Sequence, residues 1–306
     1  MGDTYYGEKL TCLKCGSLNE PRAEYCVSCG SPLIIADPDF NLIARVSART
    51  SVGQVRQNNE DNLHLWASEG VVIALVADGM GGAAAGEEAS RLAVEAVQQD
   101  FVNETAIDKD LQILPETDLQ DRLSMAIRDA NKAVYERSMK DINLRGMGTT
   151  STLALIRGNR LFVAHVGDSR AYIVEGKSGN IHQVTSDHSF VQALVESGHL
   201  APQDAHNHPL EHVLYRALGQ SLDLDVDVYS KSLKAGDHVV ICSDGLSKHM
   251  TPPEIGIIVA AEKTPDDAAR KLIETANERG GEDNISVVVA SMQSTLGISD
   301  SGLITI

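Results

Sequence analysis

Basic charge is scarce. The chain carries 26 Lys and Arg against 43 Asp and Glu, a net charge of −17. A surface of that sign has no sequence-independent grip on nucleic acid or on an anionic membrane. Aromatic residues make up only 4%, too few for platforms on which bases stack, so nucleic acid is the least expected partner. No apolar run approaches the length of a membrane span. The first residues, MGDTYYGEKLTC, lack the basic-then-apolar pattern of a secretion leader, and a cytoplasmic location is the expectation. Cysteine is nearly absent after residue 30: of five, only Cys242 lies later. It sits in an apolar run and is expected to act as a small core residue. What is present, 42% hydrophobic residues over 306 positions, is enough for one large core and an appendage.

The stretch around which the rest is organised is residues 71–82, VVIALVADGMGG. Seven apolar residues, several β-branched, read as a strand buried on both faces. The run stops at Asp78, followed by Gly79, Gly81 and Gly82. Glycine lets the backbone come close to a ligand, so this carboxylate is expected where a rigid strand opens into a permissive loop. A plain strand-to-turn junction with Asp in the turn is the competing reading of this stretch alone.

Cys12, Cys15, Cys26 and Cys29 form two CxxC pairs, CLKCG and CVSCG, ten residues apart. Four thiolates give the tetrahedral sulfur set that zinc prefers. Paired disulfides and a redox CxxC are the alternatives, disfavoured by the expected compartment and by the lack of a βαβ pattern. The segment resembles a zinc ribbon over residues 10–31, with one structural zinc whose binding supplies its folding energy. Its charge is near neutral, which favours a structural role or a protein partner. Residues 1–31 are therefore assigned to the ribbon and 32–41, with two prolines, to a linker.

From Leu42 to Ala48 the pattern is strand-like. A polar loop with Arg56, Glu60 and Asp61 follows. Apolar spacing predicts helices over 86–101 and 118–139. Strands are expected over 148–156, 160–166 and 170–174, with a Gly158–Asn159 hairpin turn. Residues 187–219 hold five of the ten histidines without a ligand spacing, and are expected to be a flap with solvated histidines. A strand over 237–242, helices over 253–261 and 265–278, and a last strand over 285–290 complete the domain. Its bounds are placed at 42–291, with a weakly structured tail over 292–306.

Asp78, Asp168, Asp244 and Asp283 each stand beside glycine or in a Gly-rich turn at the end of an apolar strand, and Asp61 lies in a loop between strands. One such acid is a turn. Five suggest sheet ends converging on one pocket. Converging carboxylates repel one another, so either they stay apart on the surface or cations lie between them. Oxygen-only ligands select hard ions such as magnesium or manganese.

The span from about Leu42 to Ala290 resembles the bacterial form of the type 2C metal-dependent protein phosphatases. The residues that carry the resemblance are RQNNED (56–61), VADGMGG (76–82), GTTST (148–152), VGDSR (166–170), SDGL (243–246) and GGEDNIS (280–286). It implies an α+β fold, an αββα four-layer sandwich of two mainly antiparallel sheets flanked by helix pairs. It implies hydrolysis of phosphoserine and phosphothreonine in proteins by a metal-bridging hydroxide, opposing Ser/Thr kinases. Under it, Asp78 bridges two manganese or magnesium ions, the Gly79 carbonyl binds one, and Asp244 and Asp283 complete the other. Glu60 and Asp61 act through bound water, Arg56 clamps the substrate phosphate, and Asp168 helps build a third, weaker site. Met80 and Ala83 stand where relatives have histidine, which leaves the leaving-group proton without a side-chain donor. Water on a third ion near Asp168 is one candidate. The expected partners are phosphoproteins, their kinases and a protein partner of the ribbon; a monomer is the expected state. A regulatory protein on a phosphatase fold and a small-molecule phosphatase are the competing readings.

Overall fold

The computed structural model describes residues 10–11, 15–19, 26–30, 42–68, 70–103, 106–201, 204–205 and 208–294. Among the described residues, a separate two-stranded pairing joins Val102–Asn103 to Ala106–Ile107, and eleven strands, whose side chains feed three apolar layers, build the two large sheets of the main domain. They are β1 (Leu42–Ser51), β2 (Asp61–Ser68), β3 (Val71–Met80), β4 (Gly148–Thr149), β5 (Ser151–Arg157), β6 (Arg160–Val166), β7 (Arg170–Glu175), β8 (Asn180–Gln183), β9 (Asp227–Ser232), β10 (His238–Cys242) and β11 (Ile285–Ser294). The first sheet has the order β9-β6-β5-β3-β2, with β4 paired to the end of β3, and the second β8-β7-β10-β11-β1. Every pairing in both is antiparallel.

Among the described residues, six α-helices accompany the sheets: α1 (Ala83–Phe101), α2 (Glu116–Lys140), α3 (Phe190–Glu196), α4 (Asp244–Ser247), α5 (Pro252–Ala261) and α6 (Pro265–Glu278). The strand period of two decides which residue faces which layer. On β3, Ile73, Leu75 and Ala77 pack against α1 and α2 with Ala89, Leu123 and Ile127. Their neighbours Val72, Ala74 and Val76 join Ile241 and Val288 between the sheets. On the far side Val240, Cys242, Val287 and Val289 pack with Ile255 and Leu272 of α5 and α6. The result is the four-layer αββα sandwich. Cys242 is fully buried in it, as its apolar run implies.

Several boundaries differ from the sequence expectation, each for a local reason. Helix α1 starts at Ala83 rather than residue 86, because Gly82, at φ 93°, turns the chain and its carbonyl accepts from Ala85 N and Gly86 N at 2.8 Å. Helix α2 runs from Glu116 to Lys140, longer than 118–139. Helix α5 begins at Pro252 because Thr251 and Glu254 form a capping box. Strand β1 runs on to Ser51, and β11 continues to Ser294, pairing with Leu42; residues 292–294, expected in the tail, are part of the sheet. The strand expected over 148–156 is split at Thr150 into β4 and β5. Strands β8 and β9 and helices α3 and α4 have no counterpart in the sequence reading. The Gly158–Asn159 turn joins β5 to β6 as expected.

In the N-terminal segment Leu10–Thr11 pairs antiparallel with Leu18–Asn19. Cys12, the linker over 32–41, His206 and the tail from residue 295 lie outside the described residues. Among the described residues, no helix is long and apolar enough to cross a membrane.

The layering makes a direct prediction. Leu123 of α2 is fully buried whereas Met125, two residues on, is 60% exposed. Leu123→Ala is expected to cost about 2–5 kcal/mol of unfolding free energy, and Met125→Ala less than about 0.5 kcal/mol. Urea denaturation of both variants checks this; equal losses contradict the assigned face.

Candidate metal centre

Strand β3 runs past Asp78 to Met80 instead of ending at it. Gly79 and Met80 pair with Thr149 and Gly148 of β4, and Asp78 lies directly opposite Asp61, the first residue of β2. Asp61 is therefore a strand residue, not a loop residue. The backbone around Asp78 is fully tied. Its N–H donates to Thr150 Oγ1 at 2.9 Å, and its carbonyl accepts from Thr150 N at 2.8 Å and Thr149 Oγ1 at 2.9 Å. Gly79 N donates to Glu60 O at 3.2 Å. A Cβ at Gly79 would lie 2.1 Å from Gly86 O and 2.6 Å from Glu60 O, so glycine is required for close approach of β3, α1 and the loop before β2.

The other acids reach the same end of the sandwich from different elements. Asp168 follows Gly167 (φ 114°), where a Cβ would strike Thr150 at 2.6 Å; Thr150 Oγ1 and Ser169 Oγ share a 2.7 Å hydrogen bond. Asp244 opens α4, directly after β10. Asp283 precedes β11, and the neighbouring Asn284 accepts from Glu60 N at 2.8 Å and donates to Val52 O and Asn58 O. That one side chain joins the loop carrying Arg56 and Glu60 to the turn carrying Asp283. Arg56, Glu60, Asp78, Asp168, Asp244 and Asp283 all line one cleft of about 450 Å³. Asp61 lies buried, with Oδ2 accepting from Ser243 Oγ at 2.8 Å.

The electrostatics of this gathering are unfavourable in the absence of cations. Burial first, then the charges of Asp61, Asp244, Asp168 and Asp283, push the Asp78 carboxyl well above the usual carboxylate range. Burial raises Asp61 to about 7 despite the hydrogen bonds from Ser243 and Ser286. Burial and the neighbouring Asp244 and Asp187 raise Asp168 to about 8. Burial also raises Glu60. Asp283 behaves differently: burial raises it, but Lys248, its hydrogen bonds and Arg56 hold it below the ordinary value. Two carboxylate oxygens of the cluster, Asp61 Oδ1 and Asp244 Oδ1, are buried and have no hydrogen-bond partner among the described residues. Orphaned acceptors of this kind cost free energy unless something positive meets them. An oxygen-only donor set with unsatisfied acceptors fits hard divalent cations of the magnesium or manganese type.

Sequence reasoning missed several members. Lys248, four residues after Asp244, places Nζ 2.6 Å from Asp244 Oδ2 and 3.0 Å from Asp283 Oδ2. The i,i+4 spacing was the available signal. His212 and Gln220 also line the cleft, and nothing in their local sequence marks them. The expectation of solvated flap histidines fails for His188. It is 2% exposed, its Nδ1 accepts from Gly167 N at 3.1 Å, and its Nε2 lies 3.2 Å from Asp227 Oδ2. This histidine anchors the flap beside Asp168. By contrast, His199 and His212 are exposed.

A pH dependence follows. Asp61, Asp78 and Asp168 have folded-state pKa values above the unfolded value of about 4. Between those values the folded chain binds more protons than the unfolded one, so their contribution to stability is lost as pH rises. With a chelator present, the melting temperature is expected to fall from pH 5 to pH 8, and added manganese to restore most of the loss at pH 8. A metal-free melting temperature that rises over this range contradicts the burial of the cluster.

Comparison with known proteins covers the span that carries these acids. The family described as Protein phosphatase 2C matches residues 50–288. The Ser/Thr protein phosphatase PstP of Mycobacterium tuberculosis is 39% identical over 253 residues, which are 82% of this chain and 45% of that protein. The chain thus spans about half the length of that relative. The Ser/Thr phosphatase stp of Listeria monocytogenes is 34% identical over 248 residues, 81% of this chain and 95% of that one. Among solved structures, the S. agalactiae Ser/Thr phosphatase superposes with a TM-score of 0.74 at 34% identity, covering 81% of this chain and 99% of that one. The catalytic domain of PstP in complex with two manganese ions superposes at 0.70 and 37% identity, covering 83% of this chain and all of that one. With the matched span enclosing every acid of the cleft and the same sandwich in the solved relatives, the chain belongs to the protein phosphatase 2C family.

Proposed function

We propose that the chain hydrolyses phosphoserine and phosphothreonine esters in proteins, opposing Ser/Thr kinases. The observation that carries this reading is the convergence of Asp78, Asp168, Asp244 and Asp283 with Arg56 on a single cleft. A phosphate dianion is repelled by such a cluster, so cations must mediate the encounter. Asp78, the Gly79 carbonyl, Asp244 and Asp283 would hold a pair of manganese or magnesium ions. Glu60 and Asp61 would support them through water, and Asp168 would contribute to a third site. The two manganese ions in the PstP catalytic domain support this ligand class. When bound, the ions supply the positive charge that admits the phosphate and lower the pKa of water enough to make it a nucleophile at neutral pH.

The chain's own residues supply position. The Thr149 and Thr150 hydroxyls fix the Asp78 backbone, Thr149 Oγ1 donating to its carbonyl and Thr150 Oγ1 accepting from its N–H, so its carboxylate needs little reorganisation to hold charge. Arg56, 48% exposed at the cleft mouth, meets Asp283 through Nη2, 3.0 Å from Oδ1 and 3.1 Å from Oδ2, its one ion pair among the described residues. Among the described residues nothing bonds the Nε and Nη1 of its guanidinium, which would take phosphate oxygens. Met80, which also lines the cleft, offers apolar surface and no proton.

We propose in addition that the N-terminal segment binds one structural zinc. The sulfurs of Cys15, Cys26 and Cys29 lie within 4.8 Å of one another. Cys15 Sγ and Cys26 Sγ are 3.5 Å apart, far beyond a disulfide bond. Ser28 N donates to Cys26 Sγ at 3.4 Å, and Gly30 N to Cys26 O at 2.9 Å. With Gly16 at φ 74° and Gly30 at φ 70°, these are the turns that aim paired sulfurs at one ion. Cys12 completes the proposed set.

Two measurements test these readings. Asp78→Asn is expected to lower the turnover of a phosphothreonine peptide by at least about 100-fold, and Arg56→Ala to raise KM about tenfold, the loss of one charge-assisted contact. Retained turnover in Asp78→Asn refutes the mechanism, and a preference for nucleotides over peptide favours a small-molecule phosphatase. Elemental analysis is expected to find one zinc per chain, reduced in Cys26→Ser; absence of zinc refutes the ribbon.

A further inference from the structure

The outer half of the acid cluster already holds a cation of the chain's own. Lys248 follows α4, and its backbone N–H donates to Asp244 O at 2.8 Å, which fixes the stem one helical turn from Asp244. Its Nζ then sits between Asp244 Oδ2 at 2.6 Å and Asp283 Oδ2 at 3.0 Å. The side chain is 29% exposed, so the pairing is half-shielded from water. Arg56 approaches Asp283 as well, at 3.0 Å. The inner half has no such partner: among the described residues no Lys or Arg makes an ion pair with Asp78, Asp61 or Asp168. The cluster is thus divided into an inner half without a Lys or Arg ion-pair partner among the described residues and an outer half with cations of the chain's own against it.

We propose that Lys248 is an internal counter-cation that competes with a divalent ion for the Asp244–Asp283 pair, so that this half of the centre fills at higher metal concentration than the Asp78 half. The inference rests on the reading of Asp244 and Asp283 as metal ligands. An ammonium and a divalent ion a few ångströms apart repel strongly. Entry of the ion therefore requires the ammonium to leave and two charge-assisted hydrogen bonds to break. Lysine suits this role better than arginine, because its compact charge is readily rehydrated and sits on a flexible stem. Until the ion arrives, the same contacts relieve the repulsion between Asp244 and Asp283 and stabilise the metal-free fold.

Isothermal titration of the full chain with manganese tests the proposal, comparing the native sequence with Lys248→Met, Lys248→Gln and the charge-keeping Lys248→Arg. The weaker binding step is expected to tighten at least tenfold in Lys248→Met and Lys248→Gln, with the tighter step shifted less than twofold. Lys248→Arg is expected to stay near the native weak step. The metal-free melting temperature should fall in the two neutral variants and recover at saturating manganese. A weaker step that is unchanged or loosened in both neutral variants overturns the proposal while leaving the two-ion reading intact. No manganese binding by the native chain overturns both.

Discussion

Repulsion among buried carboxylates is the constraint to which the rest of this structure answers. Asp61 and Asp78 face each other across neighbouring strands, and Asp168, Asp244 and Asp283 close around the same cleft. Burial disfavours the charged forms of Asp61, Asp78 and Asp168, and the neighbouring acids add to it. No chain assembles such a group for stability. The two orphaned oxygens, on Asp61 and Asp244, state the same point in hydrogen-bond terms: the site is built to be completed by something positive. The resemblance to solved phosphatases, one of them holding two manganese ions, is consistent with that requirement.

The sandwich is what makes the cost bearable. The central strand β3 is buried on both faces along its apolar run, and three apolar layers brace the strand ends that carry the acids against spreading apart. Much of the bracing at the site itself is backbone and small polar side chains. Thr149 and Thr150 hold Asp78, Ser243 holds Asp61, and Asn284 ties the Arg56 loop to Asp283. Gly79 and Gly86 let α1 and β3 approach to distances that any Cβ would prevent. Lys248 and Arg56 then offset the charge on the exposed side only.

The sequence was informative where physics is local. The seven-residue apolar run of β3, the helical spacing of α2 and the Gly158–Asn159 turn are all properties of neighbouring residues, and each appears where the pattern put it. The gathering of the acids was legible from their repeated placement beside glycine at strand ends together with the family resemblance. What could not be read was pairing between distant segments. Strand β3 runs on through Met80 only because β4 meets it seventy residues later, and Asp61 is a strand residue only because it faces Asp78. The four extra residues of β11 exist because β1 is there to pair with them. His188 looked like one of several solvated histidines until the fold placed Gly167 and Asp227 on its two ring nitrogens. Lys248 was one helical turn from Asp244, but the second half of its contact, Asp283, is 35 positions away.

The most direct test of the account is where manganese sits. In a crystal grown or soaked with the ion, anomalous scattering is predicted to show two peaks about 3.5–4 Å apart, flanked by Asp78, Asp244 and Asp283. A cleft without peaks at saturating manganese, or peaks remote from Asp78, would contradict the claim that the acids are assembled to hold paired cations.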